Sequence, residues 1–208
     1  NNWLIMVNGV DKPAYFNGAA WTAVDGVSVP ALTGVPTTNL IGTFVYQGRL
    51  FFIEKNTLKI WYLPSGVVGG ALTAFDLSTQ AARGGYLMAA MNWTFDGGSG
   101  SDDHLALVTS MGEVIVYTGV DPGVAADWQK VGTYYIGKPI GRQCMCKYGG
   151  DLIVLTEDGI IGLSGALAGV VNESKYKLSD KIRNAYLSDV QTNFDVYGWQ
   201  MLVYPREN

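Results

Sequence analysis

Thiols and imidazoles are scarce in this chain: among 208 residues there are two cysteines, Cys144 and Cys146, and one histidine, His104. Two positions apart in an extended segment, the thiols fall on one side with Cα atoms roughly 6.5–7 Å apart, which makes a disulfide between them improbable. A single imidazole 40 residues upstream leaves no zinc or redox spacing. Charge is sparse as well, at 15% of residues, with a net charge of −4 and a pI near 4.9. That balance argues against tight nucleic-acid binding, which relies on Lys and Arg neutralising phosphates, and leaves open transient passage of DNA. No apolar run reaches the roughly 18–20 residues of a membrane span and no signal-peptide pattern opens the sequence. The expectation is a chain with no membrane segment, made in the cytosol.

What the chain has in abundance is glycine, 27 residues, together with 12 Tyr, 6 Trp and a hydrophobic fraction of 48%. Such a chain can bury a sizeable core, and the mixture of β-formers with turn formers favours many short strands and few helices.

The strands repeat. Apolar runs begin at Leu4, Leu50, Leu105, Leu152 and Met201, at intervals of 46, 55, 47 and 49. The long interval contains a Gly/Ser/Asp insertion, Asp96 to Asp103, of loop composition. An aromatic precedes four of these runs (Tyr46, Trp93, Tyr148, Tyr197), and ahead of it lie small residues: Gly42 and Thr43, Ala89 and Ala90, Gly141 and Cys144. A further extended segment follows near Trp21, Phe75, Trp128 and Tyr176. Turn residues fit hairpins, with Gly112, Gly159 and Asn56 placed where a positive φ is needed.

A period near 48 residues holding four antiparallel strands, the first rich in small side chains, predicts an all-β protein of the β-propeller type. Small residues suit inner strands crowded at an axis, and outer aromatics fill the wedges between blades. The blade parts expected are 1–30, 40–80, 87–136, 140–178 and 190–208, a single region whose two ends each fall inside a blade, as in a fragment of a larger chain. One helix is expected near 179–187, with Ser179 as its cap and Ile182, Ala185 and Tyr186 on one face.

No catalytic, cofactor-binding or metal site is predicted. His104 beside Asp102 and Asp103 reads as a solvated loop histidine, since the surrounding residues lack the strand-to-helix elbow of a Ser/His/Asp hydrolase. The segment from Asp96 to His104 lacks the ligand spacing of a calcium loop. Gly66–Gly70 and Arg83–Gly85 read as turns, lacking the Gly-Lys-Ser/Thr of a phosphate loop. Asp25, Glu54, Asp96, Asp103, Glu113, Asp121, Glu157 and Asp158 are placed at turns or strand ends, where solubility accounts for them. Arg142 and Lys147, on an innermost strand but of opposite parity, cannot both face one side, and one of them is expected to pair with a neighbouring blade.

The stretches RLFFIEKNTLKIWYLP, the long run from Gly69 to Pro122, YYIGKPIGRQCMCKYGGDLIVLTEDGIIGLS and LSDKIRNAY resemble segments of tailed-bacteriophage virion structural proteins with a propeller-like region in the tail or head-to-tail assembly. The resemblance implies a non-enzymatic tail protein of the nozzle or tail-tube-associated type. It further implies a homo-oligomer, a hexameric ring around the DNA path, in contact with other tail or connector proteins and located in the virion. An acidic wall would let DNA slide during ejection. Two other functions fit a propeller. One is glycan or receptor binding through exposed Trp21, Trp61, Trp93 and Trp128, and the other is glycoside hydrolysis by carboxylates paired at one rim.

Overall fold

The computed structural model describes residues 3–95, 102–167, 177–195 and 198–204. Its chain forms a succession of antiparallel meanders. The first sheet is β1 (Leu4–Met6), β2 (Ala14–Phe16) and β3 (Trp21–Ala23), in that order. A two-residue strand, β4 (Leu32–Thr33), leads to the second sheet, which opens with β5 (Leu40–Tyr46), β6 (Arg49–Glu54) and β7 (Lys59–Tyr62). The chain then detours through β8 (Gly70–Ala71), paired in parallel with β4, before β9 (Thr73–Asp76) completes the sheet in the order β5-β6-β7-β9. The third sheet runs β10 (Leu87–Phe95), β11 (Asp102–Thr109), β12 (Glu113–Thr118), β13 (Gln129–Tyr135). The fourth is β14 (Met145–Tyr148), β15 (Asp151–Thr156) and β16 (Gly159–Gly162). Lys177 adds a single antiparallel bridge to Ile161 at the position a fourth strand would take.

The tight turns enforce this order. Between β5 and β6 the paired residues Tyr46 and Arg49 are joined through Gln47 and Gly48, both at positive φ (48° and 69°), the geometry that matches the twist of a two-residue hairpin. Asn56, Gly112 and Gly159 also have positive φ, as their turn positions require.

Side-chain parity explains why the middle strands read as continuous apolar runs. Leu50 and Phe52 of β6 pack against the first sheet beside Tyr15, Val24 and Leu32. Phe51 and Ile53, on the opposite face, pack against Leu105, Leu107, Ile115 and Tyr117 of the third sheet. In turn Ala106, Val108, Val114 and Val116 face Leu152 and Val154 of the fourth. Because successive residues alternate sides, a sheet sandwiched between two others needs apolar residues at every position. Each fully buried Phe or Leu contributes about 1.5–3 kcal/mol of transfer free energy.

A short helix α1 (Leu163–Leu167) follows β16, and Asp180–Ile182 forms a 3-10 turn leading into α2 (Arg183–Asn193). This helix extends beyond the expected span, and three of its expected anchors differ. The Ser179 side chain does not cap it: the hydroxyl is buried and accepts the Ile160 amide at 3.0 Å, bonding to β16 instead. Ile182 is 59% exposed and Ala185 is exposed too, and the buried residues are Tyr186 and Val190, one turn apart. The Tyr186 hydroxyl donates to the Thr156 carbonyl, so the helix docks by a hydrogen bond as well as by apolar contact.

The repeat holds for the second and third sheets but is one strand out of phase at the first. Leu4–Met6 occupies the position of β5 and β10 rather than that of β6 and β11, and the Trp21 segment is the third strand of its sheet, not the fourth. The interval of 46 between Leu4 and Leu50 therefore compares unlike strands. Residues 201–204 are not in a strand, and residues 205–208 lie outside the described residues. Gly141 and Cys144 precede β14 instead of lying in it. At Gly141 (φ 71°) a Cβ would collide with the Trp199 carbonyl, so this glycine is needed for the chain near Trp199 to approach. Asp96, Tyr176 and Tyr197 lie outside the described residues. No closed ring of sheets is present among the described residues.

Candidate functional site

The initial strands of the sheets share one cleft of about 790 Å³. Its wall is built from residues 5–8 of β1 and its exit, 41–44 of β5, 88–91 around the start of β10, 142–145 leading into β14, and 200–202. The small residues Gly42, Thr43, Ala89 and Ala90 lie here. Five of the chain's six methionines line it as well: Met6, Met88, Met91, Met145 and Met201. Nothing in the residue pattern singled them out, because they come from distant segments and only the convergence of strands brings them together. Flexible, polarisable thioethers adapt to irregular partners.

Among the described residues, Arg142 is the only charged side chain in the cleft wall. It sits in the turn before β14, not on the strand. Its Nη1 donates to the Leu87 carbonyl and its Nη2 to Asn56 Oδ1, each at 3.3 Å, while the guanidinium lies 5.2 Å from the centre of the Tyr86 ring. One side chain thus ties the segment before the fourth sheet to the β6–β7 turn of the second and to the start of the third. Lys147 is exposed on β14.

His104 is not in a loop. It lies within β11, paired with Trp93 on one side and Thr118 on the other, and its Nδ1 is buried without a hydrogen-bond partner. Asp103 precedes it on the strand and accepts from the Thr94 hydroxyl at 2.7 Å and from Gln47 Nε2 at 3.3 Å. No nucleophile among the described residues is bonded to the imidazole.

The carboxylates do individual work instead of merely solvating turns. Asp25 pairs with Lys12 at 2.7 Å, and that contact, with the amides of Val27 and Ser28, holds its pKa down at about 2. Asp121 pairs with Arg49 at 2.6 Å. Glu54 accepts the Trp61 indole at 2.9 Å, and Glu157 accepts the Lys138 amide at 3.4 Å. Among the described members of that set, Asp158 alone is exposed at a turn, in the manner expected of all of them. Glu113 is the outlier: it is fully buried in β12, one oxygen accepts the Arg83 amide at 3.0 Å, and the other has no hydrogen-bond partner. Sequence reasoning missed it because a carboxylate next to a turn ordinarily faces water.

Of the four tryptophans considered for sugar stacking, Trp93 and Trp128 are core residues, and Trp61 is half-buried and bonded to Glu54. Trp128 is surrounded by Tyr46, Phe51, Phe75 and Tyr117, with ring centres 5.3–6.5 Å away. Only Trp21 of these four is exposed, its ring tilted against that of Phe16 with centres 5.1 Å apart. Neither cysteine is in a disulfide. Cys144 is buried, which raises its thiol pKa to about 12.

No helix among the described residues is long and apolar enough to cross a membrane. No family model matches the chain, and no curated protein matches it.

Proposed function

We propose that the stacked sheets are blades of a β-propeller type domain, and that the chain is a non-enzymatic structural component of a tailed-phage virion. In this reading it belongs to a tail nozzle or tail-associated ring around the DNA path and acts through subunit assembly.

The observation that carries this reading is the combination of inner strands grouped about one cleft with an uncharged outer face left open on the first sheet. Leu4, Met6 and Trp21 are 55%, 54% and 51% exposed, and their paired neighbours on that face, Phe16 and Ala14, add apolar surface. Large exposed apolar faces mark protein contacts. The resemblance noted in the sequence supplies the virion context, and the net charge of −4 suits a wall that DNA passes without being gripped.

Electron microscopy of the purified protein, with mass measured by light scattering, tests the proposal. Closed rings of defined copy number are expected. Monomers at every concentration, together with a saccharide-cleaving activity, would overturn it.

A further inference from the structure

β1, β5, β10 and β14 each stand at the end of a sheet, and each borders the cleft. In an antiparallel pair alternate residues direct their N–H and C=O groups toward the partner, and the remainder face away. The cleft therefore has main-chain donors and acceptors along its walls, between apolar side chains. Unpaired edges of this kind are templates for another strand.

Gln200 forms a parallel bridge with Gln143, and the Met201 amide donates to the Gln143 carbonyl at 3.3 Å. Residues 200–202 thus line the cleft and are held by backbone contact to the turn that leads into β14. The neighbouring edge, residues 88–91 of the β10 region, is bordered by Met88, Met91 and Met145 and has Arg142 at its start, where the guanidinium bonds Leu87. Both of the hydrogen bonds given by Arg142 go to neutral oxygens, and no carboxylate pairs with it among the described residues. A lone cation beside apolar walls attracts an anion more strongly than one in open water, and Arg favours carboxylates through its planar fork of donors.

We propose that this cleft binds an extended polypeptide segment of alternating apolar side chains with one carboxylate. The segment adds as a strand to the inner edge of β10 and sets its carboxylate on Arg142. At about 3.3 Å of rise per residue, residues 88–91 engage about four residues of the incoming chain. The inference stands apart from the virion reading, since the peptide is placed on residues 88–91 and Arg142, whereas the exposed first-sheet face shares only Met6 with the cleft lining.

The test is fluorescence anisotropy with a labelled synthetic peptide, Glu-Val-Thr-Val-Thr-Val blocked at both ends, against its Gln-Val-Thr-Val-Thr-Val analogue. Hydrogen exchange on the peptide-bound protein locates the site. Saturable binding with a Kd of about 10–100 μM is expected, weakened about tenfold for the Gln peptide and for Arg142→Gln, largely recovered in Arg142→Lys, and accompanied by new protection at residues 88–91. Because the two peptides are compared on the unaltered protein, an unfolded Arg142→Gln variant would leave the test intact. No saturation below about 1 mM, equal affinity for the two peptides, or protection elsewhere would overturn the proposal.

Discussion

Arg49 and Asp121 join two sheets through one side chain. The guanidinium Nη2 lies 2.6 Å from Asp121 Oδ2, and Nε donates to the Val120 carbonyl at 3.1 Å. Arg49 opens β6 in the second sheet, and residues 120–121 belong to the connection leaving β12 in the third. The Arg49 side chain is only 12% exposed and that of Asp121 32%, so this pair is better shielded than an ordinary surface bridge. Replacing Asp121 by Asn should cost about 1–2 kcal/mol, read as a lower urea midpoint with an unchanged slope. A midpoint equal to that of the unaltered protein would count against the fastening role.

Trp128 fills the wedge between the second and third sheets, in contact with four aromatic rings. Trp128→Ala should destabilise by about 3–5 kcal/mol, through lost transfer energy and the cavity left behind. Trp128→Phe should cost clearly less, because it keeps most of the ring contact and removes an indole N–H that is buried without a partner, relieving a desolvation penalty. Denaturant titration of both variants checks the order. Equal losses would mean that the ring contacts are not what matters.

The two cysteines should react differently with a thiol reagent. Cys144 is buried and its pKa is pushed up to about 12, whereas Cys146 is partly accessible. In native protein at pH 8, one equivalent should label quickly, at Cys146, and the second only on unfolding. Since the folded pKa lies above the unfolded one, the stability contributed by neutral Cys144 is complete below about pH 8.5 and is lost as pH rises toward 12. Cys144→Ala should flatten that alkaline decline, as followed by thermal melts between pH 8 and 11.

Acid acts in the opposite direction on Asp25. Its folded pKa, about 2, is depressed by the Lys12 contact and by amide hydrogen bonds. Its contribution is therefore present above the ordinary carboxylate pKa of about 4 and is lost as pH falls through that value toward 2. Asp25→Asn should reduce the drop in melting temperature between pH 5 and pH 2.5. An identical acid profile in the variant would show that Asp25 is not one of the groups responsible.

The residues themselves determined that this is a protein of antiparallel strands joined by tight turns. Apolar runs at a near-regular interval mark β6, β11 and β15, small residues mark β5 and β10, and Gly112, Asn56 and Gly159 take the positive φ expected of them. These features are local: they depend on alternation, on backbone conformational limits and on propensity, and they can be read over four to ten residues. Tertiary structure alone decided the phase of the first sheet, where Leu4–Met6 stands at the cleft and not in the second position. Inner and second strands are both apolar, and only their neighbours tell them apart. It also placed His104 inside a strand, turned Ser179 toward β16 instead of the helix end, buried Glu113, and gathered five methionines and Arg142 around one opening. Each of these outcomes depends on which distant segment comes to lie alongside, and that is settled by the packing of whole sheets on one another.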